Sequence, residues 1–435
     1  MSFVDFIYRV ASFLPSSIIY GRSFRNAKNL SISYQKAIDK KKFIADYEEK
    51  SIRKIIQLGE KTPFYAGINS NSFEGVNFID KDLISNAAGN AIYTKAFSDL
   101  MTTGGTSGKP LSFYINKNRK GVEWFWMTQA WSLVGFNLKT SWRAVLRNHQ
   151  LGDKDYTTNP LLKEICFDNF RLDYDYLCMI TAEINKRNIE FIHAYPSAAF
   201  TLATHWKEHK SKPECVKTFL CGSENIYPYQ KHLIQTELNL RMFSWFGHSE
   251  KLILAHENKE CENYHANPFY GKAELVDVSG RNISVPGEIG ELIGTGYINT
   301  KTIFIRYRTG DYAEFVGDAC PCCGHIGLTF KNIKGRWGGD KIYLANSKFV
   351  TTTALNLHDD LYTKINGLQY HQSKKGELEI WVIPNIHWTN EDEIRLLSEL
   401  SNKIKKDLIF TLKRVSELQY SKNMKYQLLI QKVNL

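Results

Sequence analysis

The chain has 435 residues, 43% hydrophobic and 23% charged, which is ordinary for a globular protein and long enough for two or three packed domains. No run of about 18 apolar residues occurs, which argues against a membrane-spanning helix, and the absence of tandem repeats excludes a solenoid. The formal net charge of +11 raises a nucleic-acid reading, but the lysines are spread and no nucleic-acid-binding signature accompanies them. A solvated basic surface is the plain reading, and no nucleic acid is expected; peripheral attraction to an anionic membrane or polymer stays open.

Residues 1–20 are apolar but interrupted by Asp5, Arg9 and Pro15, and lack the pattern of a signal peptide. A helix packed on the body, or an amphipathic docking helix, fits them better. The next informative stretch is Thr102, Thr103, Gly104, Gly105, Thr106, Ser107, Gly108, Lys109 and Pro110. Its glycines, hydroxyls and lysine suit a polyphosphate, because the backbone can aim N–H groups at an anion while the side chains add donors and charge. It is not a Walker A loop. The glycine spacing is one residue short, Pro110 stands where Ser or Thr is needed, and the alternating 111–115 predicts a strand rather than a helix.

Beyond it, Trp124, Met127, Trp131 and Val134 recur at helical steps. Residues 189–194 predict a buried strand, ended by Tyr195, Pro196 and Ser197 and followed by a helix to Glu208. Residues 216–221 repeat the scheme, with Gly222, Ser223 and Glu224 as the loop and 229–240 as the helix. Strand, polar loop and helix in succession predict an α/β arrangement over about 120–330, with ligands at the strand ends. Phe246, Gly247, His248, Ser249 and Glu250 follow another strand and offer a ring, a hydroxyl and a carboxylate. Asp311 ends a further strand where a ribose could be held. Residues 335–340 form a polar junction containing Arg336 and Asp340, and a domain boundary is placed at about 335. A strand at 378–383, a helix capped by Thr389 or Asn390, and a strand at 426–430 make a small α+β unit, with Lys425 just ahead of its last strand.

In this order, these segments resemble the adenylate-forming (AMP-binding) enzyme superfamily. The likeness covers roughly residues 90–435 and is greatest to the phenylacetate–CoA ligase branch and the related capsular-polysaccharide-biosynthesis proteins. The resemblance implies an α/β chain with a large N-terminal adenylation domain of mixed sheets and helices (1–334) and a small mobile α+β lid (335–435). It implies an enzyme that joins a small carboxylic acid to ATP with Mg²⁺, releases pyrophosphate, and passes the acyl-adenylate to a thiol, such as coenzyme A, or to an amine. Thr102 to Lys109 would grip the phosphates, Gly222, Ser223 and Glu224 would lie beside the nucleotide, and Phe246 would line the adenine. Gly247 and His248 share that loop, Ser249 would face the α-phosphate, and Glu250 would bind Mg²⁺. Asp311 would hold the ribose with Arg336 nearby, Asp340 or Lys341 would be the hinge, and Lys425 would support adenylation. Two departures stand out: Met424 precedes that lysine where glycine is usual, and the phosphate loop is richer in hydroxyls than the usual form. The acid is expected near Tyr195, Ser197, Gly222 and Trp245. His193 reads as a structural histidine.

The eight cysteines divide in two groups. Cys166, Cys178, Cys215 and Cys221 sit among apolar neighbours and read as reduced core thiols. Cys320 and Cys323 form a Cys-x-x-Cys-Gly turn, and Cys261 with His265 offers two further ligands, a set suited to structural Zn²⁺; Cys322 is the alternative to Cys323. A cytoplasmic ligase is the leading expectation, and a nucleotide-binding protein of the same fold without chemistry is the second.

Overall fold

The computed structural model describes residues 14–66, 73–87, 89–102, 111–147, 149, 151–169, 171–334, 341–346, 349–355, 361, 364–404, 407–420 and 426–433. The expected phosphate grip (Thr103 to Lys109), Arg336, the hinge residue Asp340, and Lys425 with Met424 lie outside these residues. The two strands flanking the grip, Ser98–Thr102 and Ser112–Asn116, pair antiparallel, so residues 103–110 join the two arms of a hairpin. Arg119 at the base of this hairpin donates to the Asn116 carbonyl at 2.9 Å and pairs with Asp99 at 2.5 Å.

A twelve-stranded sheet dominates the chain. Its parallel block is built from short, largely apolar and buried runs: Glu164–Phe167, Arg143–Leu146, Phe191–Ala194, Thr218–Gly222 and Arg241–Gly247 lie side by side in that order. Such runs are what a strand covered on both faces requires. Helices Tyr174–Lys186 and Pro196–His209 cover one face through Ile180, Ile184, Leu202 and Trp206, all buried. Helix Arg119–Ser132 covers the other, placing Phe125, Trp126 and Trp131 against Phe191, Leu220 and Phe243. Gly121 of that helix lets Gly21–Lys36 approach closely, since a Cβ there would stand 2.4 Å from the Ser23 hydroxyl and 2.6 Å from the Tyr20 carbonyl.

The strand-and-helix alternation expected to about 330 ends at Gly247. From Leu254–His256 onward the sheet continues as antiparallel strands through Tyr264–Ala266, Ile326–Lys334, Tyr307–Ala319, Ile289–Gly296 and Gly271–Val276. Here short loops connect neighbours, leaving no room for crossover helices. The helix expected over 229–240 is also broken: Pro228–Lys231 is followed by a wider π-type turn, His232–Glu237. Cys166 and Cys221 are buried as expected, whereas Cys178 is exposed and Cys215 only partly covered, because they lie at the rim of the helical layer.

Residues from Lys341 on build a separate four-stranded sheet, ordered Ile409–Arg414, Glu377–Pro384, Ile365–Gln372 and Leu429–Gln431, with its own core around Tyr370, Ile380, Leu396 and Leu400. Its helix, Asn390–Ile404, is entered through Thr389, whose N–H and hydroxyl donate to Asp392 at 2.9 and 2.8 Å while its oxygen accepts from the Asp392 N–H at 3.3 Å. That reciprocal cap is what Thr389 predicted. Lys341, expected at a hinge, opens the short hairpin Lys341–Tyr343 and Phe349–Thr351. Among the described residues no helix is long and apolar enough to cross a membrane.

The antiparallel half is pinned by a buried ion pair. Arg306 meets Glu274 at 2.9 Å and donates to the carbonyls of Glu74 and Val76 at 2.8 and 3.1 Å, with both side chains under a tenth exposed. Removing one partner strands the other charge and two carbonyls, a loss of about 3–5 kcal/mol. Arg306→Met should therefore lower the thermal unfolding midpoint by several degrees, whereas Arg53→Met, at an exposed helical pair, should leave it within a degree or two.

Candidate active site

A cleft of about 1580 Å³ opens where the parallel block ends, between the main sheet and the C-terminal unit. Carboxyl ends of parallel strands are where loops converge and backbone groups become free, so chemistry collects there. Ser223, Glu224, Trp245, Phe246, Gly247, His248, Ser249, Glu250 and Asp311 all line it, as do Tyr426 to Leu429 of the C-terminal unit. Segments separated by some two hundred residues are thus brought to one cavity.

Gly222 ends its strand rather than opening the loop. A Cβ there would lie 2.6 Å from the Trp245 ring, so only glycine lets the indole close over this strand end. Ser223 then takes φ 72°, a left-handed turn that is costly for a residue with a side chain. The turn aims its hydroxyl at Arg147, 2.6 Å away. Glu224 follows and accepts from the Ser197 N–H (3.0 Å), the Ser197 hydroxyl (3.2 Å) and the Tyr426 N–H (2.9 Å). Ser197 lies in the first turn of Pro196–His209, whose unpaired N–H groups favour an anion.

Tyr195 and Ser197 do not line the cleft as expected; both are buried behind its wall. Tyr195 stacks beneath Arg147, 5.0 Å from ring centre to guanidinium, and Ser197 fixes Glu224. Trp245 does face the cavity, joined by Trp124, Met127 and Trp131 from helix Arg119–Ser132.

On the antiparallel side, Glu250 is buried and accepts a long hydrogen bond of 3.4 Å from the Tyr307 hydroxyl. Asp311 lies in strand Tyr307–Ala319, its N–H donating to the Thr309 hydroxyl at 3.0 Å. His248 is enclosed, with neither ring nitrogen hydrogen-bonded, and burial pushes its imidazole down to about 4.

Residues that sequence reasoning passed over complete the cavity. Arg147 follows the buried strand Arg143–Leu146, and a charge directly after an apolar strand was its available signal. Its guanidinium meets His193 Nε2 at 2.6 Å, and both residues line the cleft. Burial and the Arg147 charge hold the imidazole neutral, well below its ordinary value. Glu123 and Lys251 pair at 2.6 Å across the cleft wall, with the Tyr270 hydroxyl on Glu123 at 3.3 Å. No sequence spacing foretells that link.

Behind the cleft, the expected ligand set assembles. One atom each from Cys261, His265, Cys320 and Cys323 lies within 4.8 Å of all the others. The Cys261 and Cys320 sulfurs are 3.6 Å apart, too far for a disulfide and close to the edge of a tetrahedron with metal–sulfur bonds of about 2.3 Å. His265 Nδ1 donates to the His256 carbonyl at 3.0 Å, which leaves Nε2 to face Cys323 Sγ at 3.2 Å. Cys322 instead approaches the Glu260 carbonyl at 3.6 Å and stands outside this group.

No protein-family model matches the chain. It is 20% identical over 311 residues to Protein CapK of Staphylococcus aureus, covering 70% of this chain and 67% of that protein. Among solved structures it superimposes on 2-hydroxyisobutyryl-CoA ligase in the postadenylation state in complex with 2-HIB-AMP, with TM-score 0.67, 15% identity, and coverage of 91% of this chain and 90% of that one. The chain has the fold of the adenylate-forming enzymes. The same ligase in its thioesterification state gives TM-score 0.53 at 16% identity and 91% coverage of both chains. The amide bond synthetase McbA from Marinactinospora thermotolerans aligns over 74% of this chain and 66% of its own, at 13% identity and TM-score 0.50.

Burial holds the His248 imidazole neutral near Glu250. Its imidazole protonates near 6.5 when unfolded and near 4 when folded, so the stabilisation is full above pH 6.5 and is lost as pH falls toward 4. His248→Gln should make the decline of the unfolding midpoint between pH 6.5 and 4 shallower. An unchanged slope would assign the proton uptake to other groups.

Proposed function

We propose that the protein is an ATP-dependent carboxylate-activating ligase that forms an acyl-adenylate with release of pyrophosphate and transfers the acyl group to a thiol or an amine. The observation that carries this reading is the joint lining of one cleft by Phe246 to Glu250, Asp311 and Glu224 from the main body and by Tyr426 to Leu429 from the C-terminal unit. Attack of a carboxylate on an α-phosphate brings two anions together, so the site must neutralise charge and align the groups. Glu250, buried with one long hydrogen bond, suits a Mg²⁺ ligand, and Ser249 is beside it to meet the phosphate. Phe246 would lie along the adenine and Asp311 would accept from the ribose hydroxyls. Gly222 and Ser223 would border the nucleotide, and the loop from Thr103 to Lys109 would hold the phosphates from the hairpin above. Lys425 immediately precedes Tyr426, whose N–H is tied to Glu224 at the cleft, and this supports its assignment as the lysine of adenylation. Arg336 and the stretch at 340–341 would allow residues 335–435 to move as a lid over the domain 1–334.

The amide bond synthetase McbA and the CoA ligase structures support a transfer step to a thiol or an amine, and the likeness to CapK, together with the capsule-related resemblance of the sequence, favours a role in surface polysaccharide formation in the cytoplasm. Purified protein with ATP, Mg²⁺ and a panel of aryl, fatty and amino acids should support acid-dependent ATP–pyrophosphate exchange. Glu250→Gln and Lys425→Ala should each reduce that exchange about 10²–10³-fold. ATP binding without exchange for any acid would instead favour a nucleotide-binding protein of the same fold.

The cluster of Cys261, His265, Cys320 and Cys323 suits a structural Zn²⁺, since four protein ligands leave no open position. Metal analysis should find close to one zinc per chain. Cys320→Ser should remove it and lower the unfolding midpoint, with pyrophosphate exchange at low temperature largely retained.

A further inference from the structure

We propose that Arg147 selects, within this cleft, a carboxylic acid that bears a second carboxylate. The inference rests on the acid-activating reading of the site and names the class of acid. Two arginines bracket one buried strand, and they are treated differently. Arg143, at its start, is matched by the Glu164 carboxylate and covered by the Trp124 and Trp131 rings at 4.6 and 5.5 Å. Arg147, just past its end, has no carboxylate within 4.0 Å among the described residues. Glu224 acts on it only at longer range, its oxygens being held by Ser197 and Tyr426.

The groups that Arg147 does touch are neutral. They are His193 Nε2 and Ser223 Oγ, each at 2.6 Å, and the ring faces of Tyr195 and Trp245 at 5.0 and 5.7 Å. Because His193 accepts from a guanidinium, its proton sits on Nδ1, and that nitrogen is buried without a partner. A guanidinium has more N–H donors than its contacts to His193, Ser223 and the Tyr195 hydroxyl use, and Arg147, His193, Ser223 and Trp245 all line the cleft. An uncompensated cation fixed between aromatic faces in a partly dry cavity is costly unless the ligand brings the anion. The fork of a guanidinium matches a carboxylate in two parallel hydrogen bonds.

Sheet order sets the spacing. Arg143–Leu146, Phe191–Ala194, Thr218–Gly222 and Arg241–Gly247 lie side by side. Arg147 reaches across the end of the second strand, at His193, to the end of the third, at Ser223. Ser249 and Glu250 follow the fourth. The guanidinium is therefore one to two strand spacings, roughly 5–10 Å, from the end where the reacting carboxylate would meet phosphate. A spacer of a few carbons, or one aromatic ring, fills that gap between two carboxylates.

The test compares matched acids in ATP–pyrophosphate exchange: adipate against hexanoate and isophthalate against benzoate, with wild type, Arg147→Gln and Arg147→Lys. The wild type should favour at least one diacid over its monoacid by about 100-fold in kcat/KM, as a site built for a polar group rejects the analogue lacking it. Arg147→Gln should bring that ratio to within a few-fold of unity, and Arg147→Lys should keep part of it. Unfolding midpoints of both variants check that they fold, and Ser223→Ala, which removes one anchor, should lower the ratio if Arg147→Gln does not fold. A wild type that exchanges pyrophosphate with monoacids as well as or better than with diacids overturns the inference and leaves the ligase reading intact. An equal loss on both members of each pair in Arg147→Gln also overturns it, assigning Arg147 to the common reacting group. Absence of exchange with every acid, diacids included, overturns both readings.

Discussion

One carboxylate holds the cleft together. Glu224 follows a strained turn at the end of a buried strand and takes hydrogen bonds from a helix N-terminus and from the backbone of Tyr426 in the other unit. Without it, the first turn of Pro196–His209 would lose an anion where its dipole favours one, and the C-terminal unit would lose a polar anchor to the sheet. The turn that delivers Glu224 also delivers Ser223 to Arg147, so one strand end sets both the docking of the C-terminal unit and the cation in the cleft. That economy depends on Gly222, because a side chain there would displace Trp245 and open the wall.

The change from parallel to antiparallel pairing at Gly247 gives the cavity its two characters. On the parallel side, strand ends release loops rich in aromatic and polar groups, and the helix bearing Trp124 and Trp131 roofs them. On the antiparallel side, long strands carry Asp311 and Tyr307 along their length, at positions fixed by register rather than by loop conformation. Phe246 to Glu250 sits at the seam between these regimes. A group placed there meets an apolar wall on one side and the carboxylates of Glu250 and Asp311 on the other.

Much of this was legible in the sequence because it depends on local signals. Short apolar runs followed by Gly222 or by Phe246 to Glu250 announced strand ends, Thr389 announced a helix start, and the spacing of Cys261, His265, Cys320 and Cys323 announced a ligand set that the fold does assemble. What the sequence could not show depends on contacts remote in the chain. Tyr195 and Ser197 were read as facing the acid, yet both are buried behind the wall, Tyr195 packed under Arg147 and Ser197 bonded to Glu224. Arg147 was passed over since its significance lies in what it lacks, a carboxylate partner, and only the assembled site reveals that. The antiparallel strands after Gly247 escaped for a similar reason, since parallel and antiparallel edges differ in pairing rather than in composition.

Among the described residues, the junction of the two units is made of polar and aromatic contacts rather than a shared apolar core. Across it run single hydrogen bonds, such as Tyr426 to Glu224 and Asn366 to Glu208 at 2.9 Å, together with the edge-on approach of Tyr227 to Tyr426. Each side keeps its own apolar core, with Tyr227 as a shared contact, so moving the C-terminal unit exposes little buried hydrocarbon. Contacts of this kind cost a few kcal/mol in sum, because water replaces most of each hydrogen bond that is broken. In the proposed ligase, a junction of this kind would let a lid dock firmly enough to seat a lysine beside the phosphate and leave when the acyl acceptor arrives. Glu224 fits both demands. Its hydrogen bonds to Ser197 do not depend on Tyr426, so the helix N-terminus would stay satisfied if the C-terminal unit moved away.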